Sequence, residues 1–556
     1  MSQKETKKGL SRRGFIKGVA IGASVAAASG SGLLGGWPTR NAHGSPRQGD
    51  LPISEPIPPA PVPSKWDKKT DVLILGGGGA GLAAAVSARG NGAKVIVLEK
   101  NSFCGGDTST AMVFMSKTND TKFHKRLGIK PTPLNEAFAK ASAGFGCRNN
   151  GEVERTIIER EAATADWLEE MGVVYSPGPV AGTPPGFLLT PEHPDGGYYR
   201  LFPHNAKKFT QVLEKRARDL GVEILLATPA TALVAEAGKV IGIEAQTKEG
   251  KKIHIKSKVI VLTTGGFGAN KDMLKKYALP VMVAGIARYV GLPSATGDGI
   301  RMAQGVGAAV ESMDDLEIWD GGPPGVGEGP MAFYSAATQL VRQKSLTVNK
   351  LGQRFMDESL LYGPGHEIGP FKAQANQTIR QKDQTSFTIH DSETVKKDFI
   401  IKKFEPVACE YPCPWYEKDF NKWVKQGVIM KADTIKGLAR LMDVDSLKLE
   451  ETVDRYNEHC DKGKDPEFFK PPKYLIPIRK SPFYVVKQTG GSFFNTWGGL
   501  VTNNKFQVLD KEWNIIPGLR VAGENAAYCA SVVYALTSGR IAGENAAQEA
   551  LGKQKA

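Results

Sequence analysis

The chain alternates short unbroken apolar runs with longer amphipathic or Ala-rich stretches. Asp71-Val72-Leu73-Ile74-Leu75 has no polar alternation after its first residue, so it reads as a strand covered on both faces, as in a parallel sheet. Val95-Ile96-Val97-Leu98 reads the same way, and Gly221-Val222-Glu223-Ile224-Leu225-Leu226 and Val259-Ile260-Val261-Leu262 read as further strands. Leu82 to Arg89, between the first two, is Ala-rich and predicts a helix. Strands separated by helices predict an α/β layer architecture. Two segments break this pattern. Pro46 to Pro63 holds seven prolines without periodicity and reads as an extended linker. Val19 to Leu34 is mildly apolar but rich in Ala and Gly, and is shorter than the roughly 20 strongly apolar residues a spanning helix needs.

Composition narrows the classes. The 556 residues are 41% hydrophobic and 23% charged, which fits two or three packed domains and excludes a disordered chain, a collagen-like repeat and a disulfide mini-scaffold. The net charge of +14 invites a nucleic-acid reading, but the first 44 residues hold seven Lys/Arg and one Glu, or +6 of it. Those residues carry Ser11-Arg12-Arg13-Gly14-Phe15-Ile16-Lys17, a twin-arginine pattern, and Ala42-His43-Gly44, small residues suited to cleavage. Residues 1–44 are expected to be an export signal that places the protein in the periplasm. The remaining +8 shows no Lys/Arg stripe with interleaved aromatics, so no nucleic-acid partner is expected, and no transmembrane span. Cys104, Cys147, Cys409, Cys413, Cys460 and Cys529 are scattered, with no zinc, haem or CxxC spacing, so no metal is expected. Cys409 and Cys413 are the nearest pair, and both a disulfide and buried free thiols remain open readings.

Chemistry enters after the first strand. Gly76, Gly78 and Gly81 stand at G-x-G-x-x-G spacing and open the helix, and the second strand ends at Glu99. Gly76 makes a tight turn, Gly78 lets backbone approach a pyrophosphate, and Gly81 lets helix and strand pack closely. The helix N-terminus offers unpaired N–H groups to phosphates, and Glu99 can accept from ribose hydroxyls. This combination predicts a dinucleotide site. A second Gly-rich turn, Gly105-Gly106-Asp107-Thr108-Ser109-Thr110, and a third, Thr263-Thr264-Gly265-Gly266-Phe267-Gly268, suit a large cofactor threaded between distant pieces of chain.

With these motifs go Thr296-Gly297-Asp298-Gly299-Ile300, Val348-Asn349-Lys350-Leu351-Gly352-Gln353-Arg354-Phe355, Trp497-Gly498-Gly499-Leu500, Ile516-Pro517-Gly518-Leu519, Ala522-Gly523-Glu524 and Gly539-Arg540-Ile541-Ala542-Gly543. Together they resemble the fumarate reductase and 3-ketosteroid dehydrogenase superfamily of flavoproteins. The resemblance implies an α/β, Rossmann-like FAD-binding domain with an inserted α+β capping domain. It divides the chain into the signal (1–44), the Pro-rich linker (45–66), the first part of the FAD-binding domain (67–285), the capping domain (286–435), a helical connection (436–480) and the C-terminal part of the FAD-binding domain (481–556). The stretch from Asp433 to Val444 resembles the small helical element such proteins carry. FAD is expected to be non-covalent, because no histidine stands near Gly105. Its expected contacts are Gly76, Gly78, Gly79, Ala80, Gly81, Glu99, Lys100, Gly106, Asp107, Thr108, Ser109, Ala230, Thr264, Gly265, Asp298, Gly523, Glu524 and Ser538.

The resemblance also places the chemistry. Hydride passes between flavin N5 and a carbon–carbon bond α,β to a carbonyl, and a protein group handles the second hydrogen. In fumarate reductases that group is an arginine shortly after the RFxxE run; here the run is Arg354-Phe355-Met356-Asp357-Glu358 and the position is Tyr362. No His-Pro pair stands shortly before the RFxxE run, and the His-Thr-x-Gly-Gly of the dicarboxylate clamp reads Asn495-Thr496-Trp497-Gly498-Gly499. A dicarboxylate without charged partners costs several kcal/mol, so fumarate is disfavoured unless Arg288, Arg342 or Arg354 serves instead. A tyrosine here resembles the ketosteroid enzymes, which implies Tyr362 as acid or base and Tyr534, with Tyr528 as alternative, polarising the carbonyl. A small apolar carbonyl-containing substrate and a separate cytochrome or quinone-linked electron partner are expected. The alternatives are a fumarate or urocanate reductase-like enzyme and an electron-transfer flavoprotein subunit.

Overall fold

The computed structural model describes residues 54–110, 114–177, 188–191, 207–278, 288–320, 344–359, 377–399, 417–489 and 491–553. Every described residue belongs to one compact unit, Leu51–Ala556. The expected signal, Tyr362, Arg342, Cys409 and Cys413 lie outside the described residues.

The apolar runs form the centre of an eight-stranded sheet. Its order is Gln507–Leu509, Ile515–Val521, Lys252–Leu262, Lys68–Leu75, Val95–Leu98, Glu223–Leu225, with the hairpin Ala230–Glu236 and Lys239–Gln246 joined to Lys252–Leu262. The five strands from Ile515–Val521 to Glu223–Leu225 are mutually parallel, and Leu73 stands opposite both Ile96 and Ile260. Val72 to Leu75 and Val95 to Leu98 are buried at every position, as non-alternating runs in a parallel sheet should be. The strand ending at Leu262 begins at Lys252, earlier than its apolar run, because its first half alternates and pairs with the hairpin.

Helix Gly79–Gly90 lies against this sheet, and helix Val532–Ala550 packs along it. Small residues make that contact close. A Cβ on Gly539 would lie 2.8 Å from Ala80 Cα, and one on Gly543 2.8 Å from Ala84 Cα. Strand Ile515–Val521 and helix Val532–Ala550 thus complete a layer begun more than 400 residues earlier in the chain.

A second core lies beneath an antiparallel sheet ordered Leu346–Asn349, Thr385–Asp391, Phe483–Thr489, Ile429–Ala432. Helices Ile435–Met442 and Ser446–Asp461 cover one face, burying Leu438, Met442, Leu449, Val453 and Tyr456 against Val348, Phe387, Ile389 and Val485. Thr434 and Asp445 cap these helices through side-chain oxygens that accept Gly437 N–H, and Leu447 and Lys448 N–H.

The RFxxE run lies inside this core. Arg354 Nε and Nη2 donate to Glu358 at 3.1 and 2.9 Å, and its Nη1 is 2.8 Å from Asp465 Oδ2. Lys470 Nζ lies 3.2 Å from Glu358 and donates to Ser345 O at 2.7 Å and Tyr456 Oη at 3.0 Å. The Tyr456 ring faces both cations, at 5.2 Å from Arg354 Cζ and 5.2 Å from Lys470 Nζ. Two cations and two carboxylates therefore balance out of water. Glu358 and Asp465 hold the guanidinium charged against burial, and Lys470 and Arg354 hold the Glu358 carboxyl down against it.

Candidate functional site

Four neighbouring parallel strands end in turns that converge on one place. Leu75 leads to Gly76, Leu98 to Glu99, Leu262 to Thr263-Thr264, and Val521 to Ala522-Gly523-Glu524. In open α/β sheets ligands bind beyond these carboxyl ends.

At the first turn, helix Gly79–Gly90 begins at Gly78 with no side-chain cap and no acid in its first turn, which leaves backbone donors and a positive dipole end for an anion. Gly81 is forced by packing: a Cβ there would overlap the Gly76 carbonyl oxygen and lie 2.7 Å from Thr263 Oγ1. Gly77 N–H donates to Glu99 Oε2 and Asn101 N–H to Glu99 Oε1, each at 2.7 Å. Burial pushes the Glu99 carboxyl up, against those two N–H groups.

The second turn lies alongside the first. Gly105 N–H donates to Gly77 O at 2.9 Å, Gly106 comes within van der Waals reach of Gly78, and the Thr108 side chain fills the space beside Gly79. Ser109 Oγ donates to Gly106 O at 2.8 Å. Asp107 accepts from Leu292 N–H at 2.6 Å and from the Tyr289 hydroxyl at 2.7 Å; burial pushes its carboxyl up against both donors.

The third and fourth turns are stitched together. Asn525 Oδ1 accepts from Thr264 N–H and, at 3.1 Å, from Thr264 Oγ1, which in turn accepts Gly299 N–H. Ser538 Oγ accepts Gly523 N–H at 2.9 Å. Glu524 Oε1 accepts from Thr496 N–H at 2.7 Å and Thr496 Oγ1 at 3.0 Å. Burial pushes the Glu524 carboxyl up to about 8, with the Asp107 and Glu317 carboxylates adding to the rise.

These residues suit a dinucleotide. A Cβ on Gly265, at φ +78°, would meet nothing within 4 Å, and one on Gly78 only the backbone of Gly105 and Gly106 at 3.9–4.0 Å. Buried Asn525 Nδ2 has no hydrogen-bond partner, so a donor points at the same region. The uncapped helix end, the open glycine backbones and the orphan amide form a cradle for a phosphate-bearing ligand.

Several expected contacts are also bonded to protein neighbours. Lys100 Nζ bonds Asp298 Oδ2 at 2.8 Å and Thr296 Oγ1 at 2.7 Å, so Lys100 and Asp298 tie the second strand to helix Asp298–Gly305. Ala230 opens a strand and pairs with Ala245. Tyr528 and Tyr534 flank the Phe145 ring at 5.4 and 5.7 Å, but their hydroxyls diverge. Tyr528 donates to Asp315 at 3.0 Å, and buried Tyr534 donates to Glu154 at 2.5 Å. Burial first, then the Glu154 carboxylate, pushes the Tyr534 phenol well above its ordinary range.

Several residues here went unselected in the sequence. Thr496 sat inside a quoted motif and Asn525 directly after one, and neither was chosen. Nothing local marks Tyr289, Lys117, Glu161 or Glu317. Glu161 Oε1 gathers Ser116 Oγ, Lys117 N–H, Thr118 N–H and Thr118 Oγ1, and burial pushes its carboxyl up to about 7. Burial pulls the Lys117 ammonium down to about 8, opposed by Glu161, Glu154 and Glu317.

Glu524 sets a pH dependence. Between about pH 4.5 and 8 the folded flavin-free protein keeps a proton on Glu524 that the unfolded chain has released. Stability therefore falls as pH rises through that window. Thermal unfolding at pH 5, 6.5 and 8 should show a falling midpoint with a shallower slope for Glu524→Gln; an unchanged slope would count against this account.

Comparison with known proteins agrees with the cradle. The family described as FAD binding domain matches residues 71–540. The chain is 28% identical over 557 residues to the NADH:acrylate oxidoreductase of Vibrio harveyi, covering 86% of this chain and about half, 51%, of that protein's length. It is 27% identical over 497 residues to the vinyl phenol reductase of Lactiplantibacillus plantarum, covering 86% of this chain and 96% of that protein. Among solved structures, the 3-ketosteroid-Δ4-(5α)-dehydrogenase of Rhodococcus jostii RHA1 in complex with 4-androstene-3,17-dione superposes with a TM-score of 0.67 at 25% identity, covering 87% of this chain and 98% of that one.

Proposed function

Because the chain belongs to the FAD binding domain family, we propose that it is an FAD-dependent oxidoreductase acting on a carbon–carbon bond conjugated to a carbonyl or an aromatic ring, in a largely apolar, uncharged substrate. The observation that carries the cofactor half is the convergence of four strand ends and an uncapped helix N-terminus on one open cradle. When bound, FAD supplies a hydride acceptor or donor at N5. The residues that would hold it are Gly78, Gly79 and Ala80 at its phosphates, Glu99 at a ribose, and Gly265, Thr264 and Asn525 along its length. The binding is taken to be non-covalent.

The substrate half rests on where charge is engaged. Arg354, a conceivable carboxylate partner, is enclosed with Glu358 and Asp465, and its side chain is 1% exposed. Asn495, in the motif that replaces His-Thr-x-Gly-Gly, gives its amide to Glu317 at 2.5 Å. Neither of these two described side chains is left to give a carboxylate the bidentate partner that would repay its desolvation. The vinyl phenol reductase acts, by its name, on a neutral conjugated alkene, and the steroid enzyme was solved with an enone, which supports the same reading. Tyr362 is proposed to hold or deliver the proton that accompanies hydride transfer. Tyr534, with Tyr528 as alternative, is proposed to polarise a carbonyl, each hydroxyl donating to a carboxylate in the free protein, Glu154 and Asp315. Electrons are proposed to pass through a separate cytochrome or quinone-linked partner, and the twin-arginine segment to place the enzyme outside the cytoplasm.

Anaerobically reduced holoenzyme mixed with fumarate, urocanate, a steroid enone, 4-vinylphenol and a cinnamate tests this. Rapid reoxidation of the flavin by a neutral enone or vinylphenol is expected, and its loss in a Tyr362→Phe protein that retains full FAD. Reoxidation by fumarate alone would overturn the substrate assignment.

A further inference from the structure

We propose that His459, Asp465 and Glu467 form a site for one divalent ion of the zinc type, which clips the loop 462–470 to the end of helix Ser446–Asp461. One ligand atom from each of the three side chains lies within 4.8 Å of those from the other two. The cysteine pattern predicts no metal, and no cysteine belongs to this group.

The local sequence builds the site. His459 lies in the last turn of helix Ser446–Asp461. Gly463, at φ +60°, turns the chain back, and Lys464 N–H returns to His459 O at 3.1 Å. Asp465 then gathers the loop around its own carboxylate. Its Oδ1 accepts from Glu467 N–H at 3.0 Å and Phe468 N–H at 3.3 Å, and its Oδ2 from Lys470 N–H at 3.1 Å. Arg354 also approaches Asp465 through Oδ2, which leaves Oδ1 on the side of His459. Glu467 is exposed and gives the buried pair an opening to solvent.

The histidine supplies an independent observation. His459 is 6% exposed, and its Nδ1 has no hydrogen-bond partner among the described residues. Buried polar atoms are rarely left in that state. Asp465 Oδ1 is 3.6 Å away, too far for a hydrogen bond. That gap suits an ion. Two atoms 3.6 Å apart subtend an angle of about 120° at a zinc ion about 2.0–2.1 Å from each, which a distorted tetrahedral site accepts. Glu467 and a water would complete the four positions. One imidazole with two carboxylates favours zinc over magnesium or calcium, which prefer oxygen alone.

The site also carries a competitor. Arg455, one helical turn before His459, donates Nε to Glu467 Oε1 at 2.6 Å, and both side chains are partly exposed. An exposed pair of this kind contributes little, so Glu467 can leave it for an ion, at some loss of affinity.

The test is a calorimetric titration of untagged, chelator-treated holoenzyme with Zn2+. One ion per chain is expected, bound with a micromolar Kd or tighter and not displaced by excess Mg2+. X-ray absorption of the zinc-loaded protein should show a first shell of nitrogen and oxygen alone. Losing a ligand costs at least what losing an outer-shell partner does, so Glu467→Ala should weaken binding about tenfold or more. Arg455→Met, which frees the carboxylate, should tighten it about threefold. Both variants should keep full FAD content, since neither residue belongs to the cradle. Zinc should raise the thermal midpoint of the native protein and leave that of Glu467→Ala unchanged. Absence of saturable binding overturns the inference. So does sulfur in the first shell, which would point to a cysteine, or a Glu467→Ala protein that binds as tightly as the native one.

Discussion

Gly81→Ala protein is expected to purify without colour. Its new methyl group would occupy the space of the Gly76 carbonyl oxygen and press on Thr263 Oγ1 at 2.7 Å. Both obstacles are fixed. The carbonyl belongs to the turn itself, and the hydroxyl donates to Leu75 O at 2.9 Å and Gly76 O at 3.0 Å. Relief requires helix Gly79–Gly90 to retreat from the strand, carrying its free N–H groups away from the phosphates they would meet. The expected result is FAD occupancy below about a tenth of native after reconstitution, read from the ratio of flavin to protein absorbance. Gly90→Ala is the matched control. A Cβ there meets nothing within 4 Å, so the change should leave occupancy intact and shift stability by about 1 kcal/mol or less. A yellow Gly81→Ala protein with native flavin content would show that the glycine is not required for close packing.

Arg354→Met is expected to be the most destabilising single substitution outside the cofactor cradle. It removes the partner shared by Glu358 and Asp465, whose side chains are both fully buried. Lys470 remains beside Glu358, but Asp465 loses its Arg354 ion pair and, among the described residues, keeps backbone N–H donors and the nearby His459. Breaking a buried pair by removing one member costs about 3–5 kcal/mol, because the stranded carboxylate stays out of water. For a protein of this size that is a fall of about 3–5 °C in thermal midpoint. Arg155, whose pair with Glu159 is exposed, supplies the contrast: Arg155→Met should change stability by less than about 1 kcal/mol. Calorimetry on both variants settles the comparison, and a loss under about 1 kcal/mol for Arg354→Met would mean the cluster is not braced as drawn.

The parts of the fold that could be read in sequence are those in which one residue type has one physical use. Non-alternating Val/Ile/Leu runs gave the parallel strands, and Gly76, Gly78 and Gly81 gave the turn, because only glycine permits that approach. Glu99 was legible from its spacing, although its oxygens also clamp Gly77 and Asn101. Lys100 and Asp298, expected as cofactor contacts, bond each other across almost 200 residues, which their local sequence did not show. No local pattern distinguishes a lysine that meets a phosphate from one that meets an aspartate. The same limit hid Lys117, Glu161 and Glu317. Each looks like an ordinary surface charge in its own segment, and only the folded chain shows them buried together. The RFxxE run was legible as a motif, but the enclosure of its arginine depends on Asp465 and Lys470, more than 100 residues later.

The contact between helices Gly79–Gly90 and Val532–Ala550 carries a consequence for how the protein is made. The cradle is split across the chain, with Gly523 emerging 442 residues after Gly81. At about 5–20 residues per second, a ribosome needs roughly 20–90 s to deliver the second half after the first. During that interval strand Lys252–Leu262 has no partner on the side that Ile515–Val521 will take, and Ala80 and Ala84 await the glycines that will cover them. The nascent first half is therefore an open-edged sheet in need of shielding. Flavin capture belongs to the completed polypeptide, after release, and before any journey that requires a folded passenger.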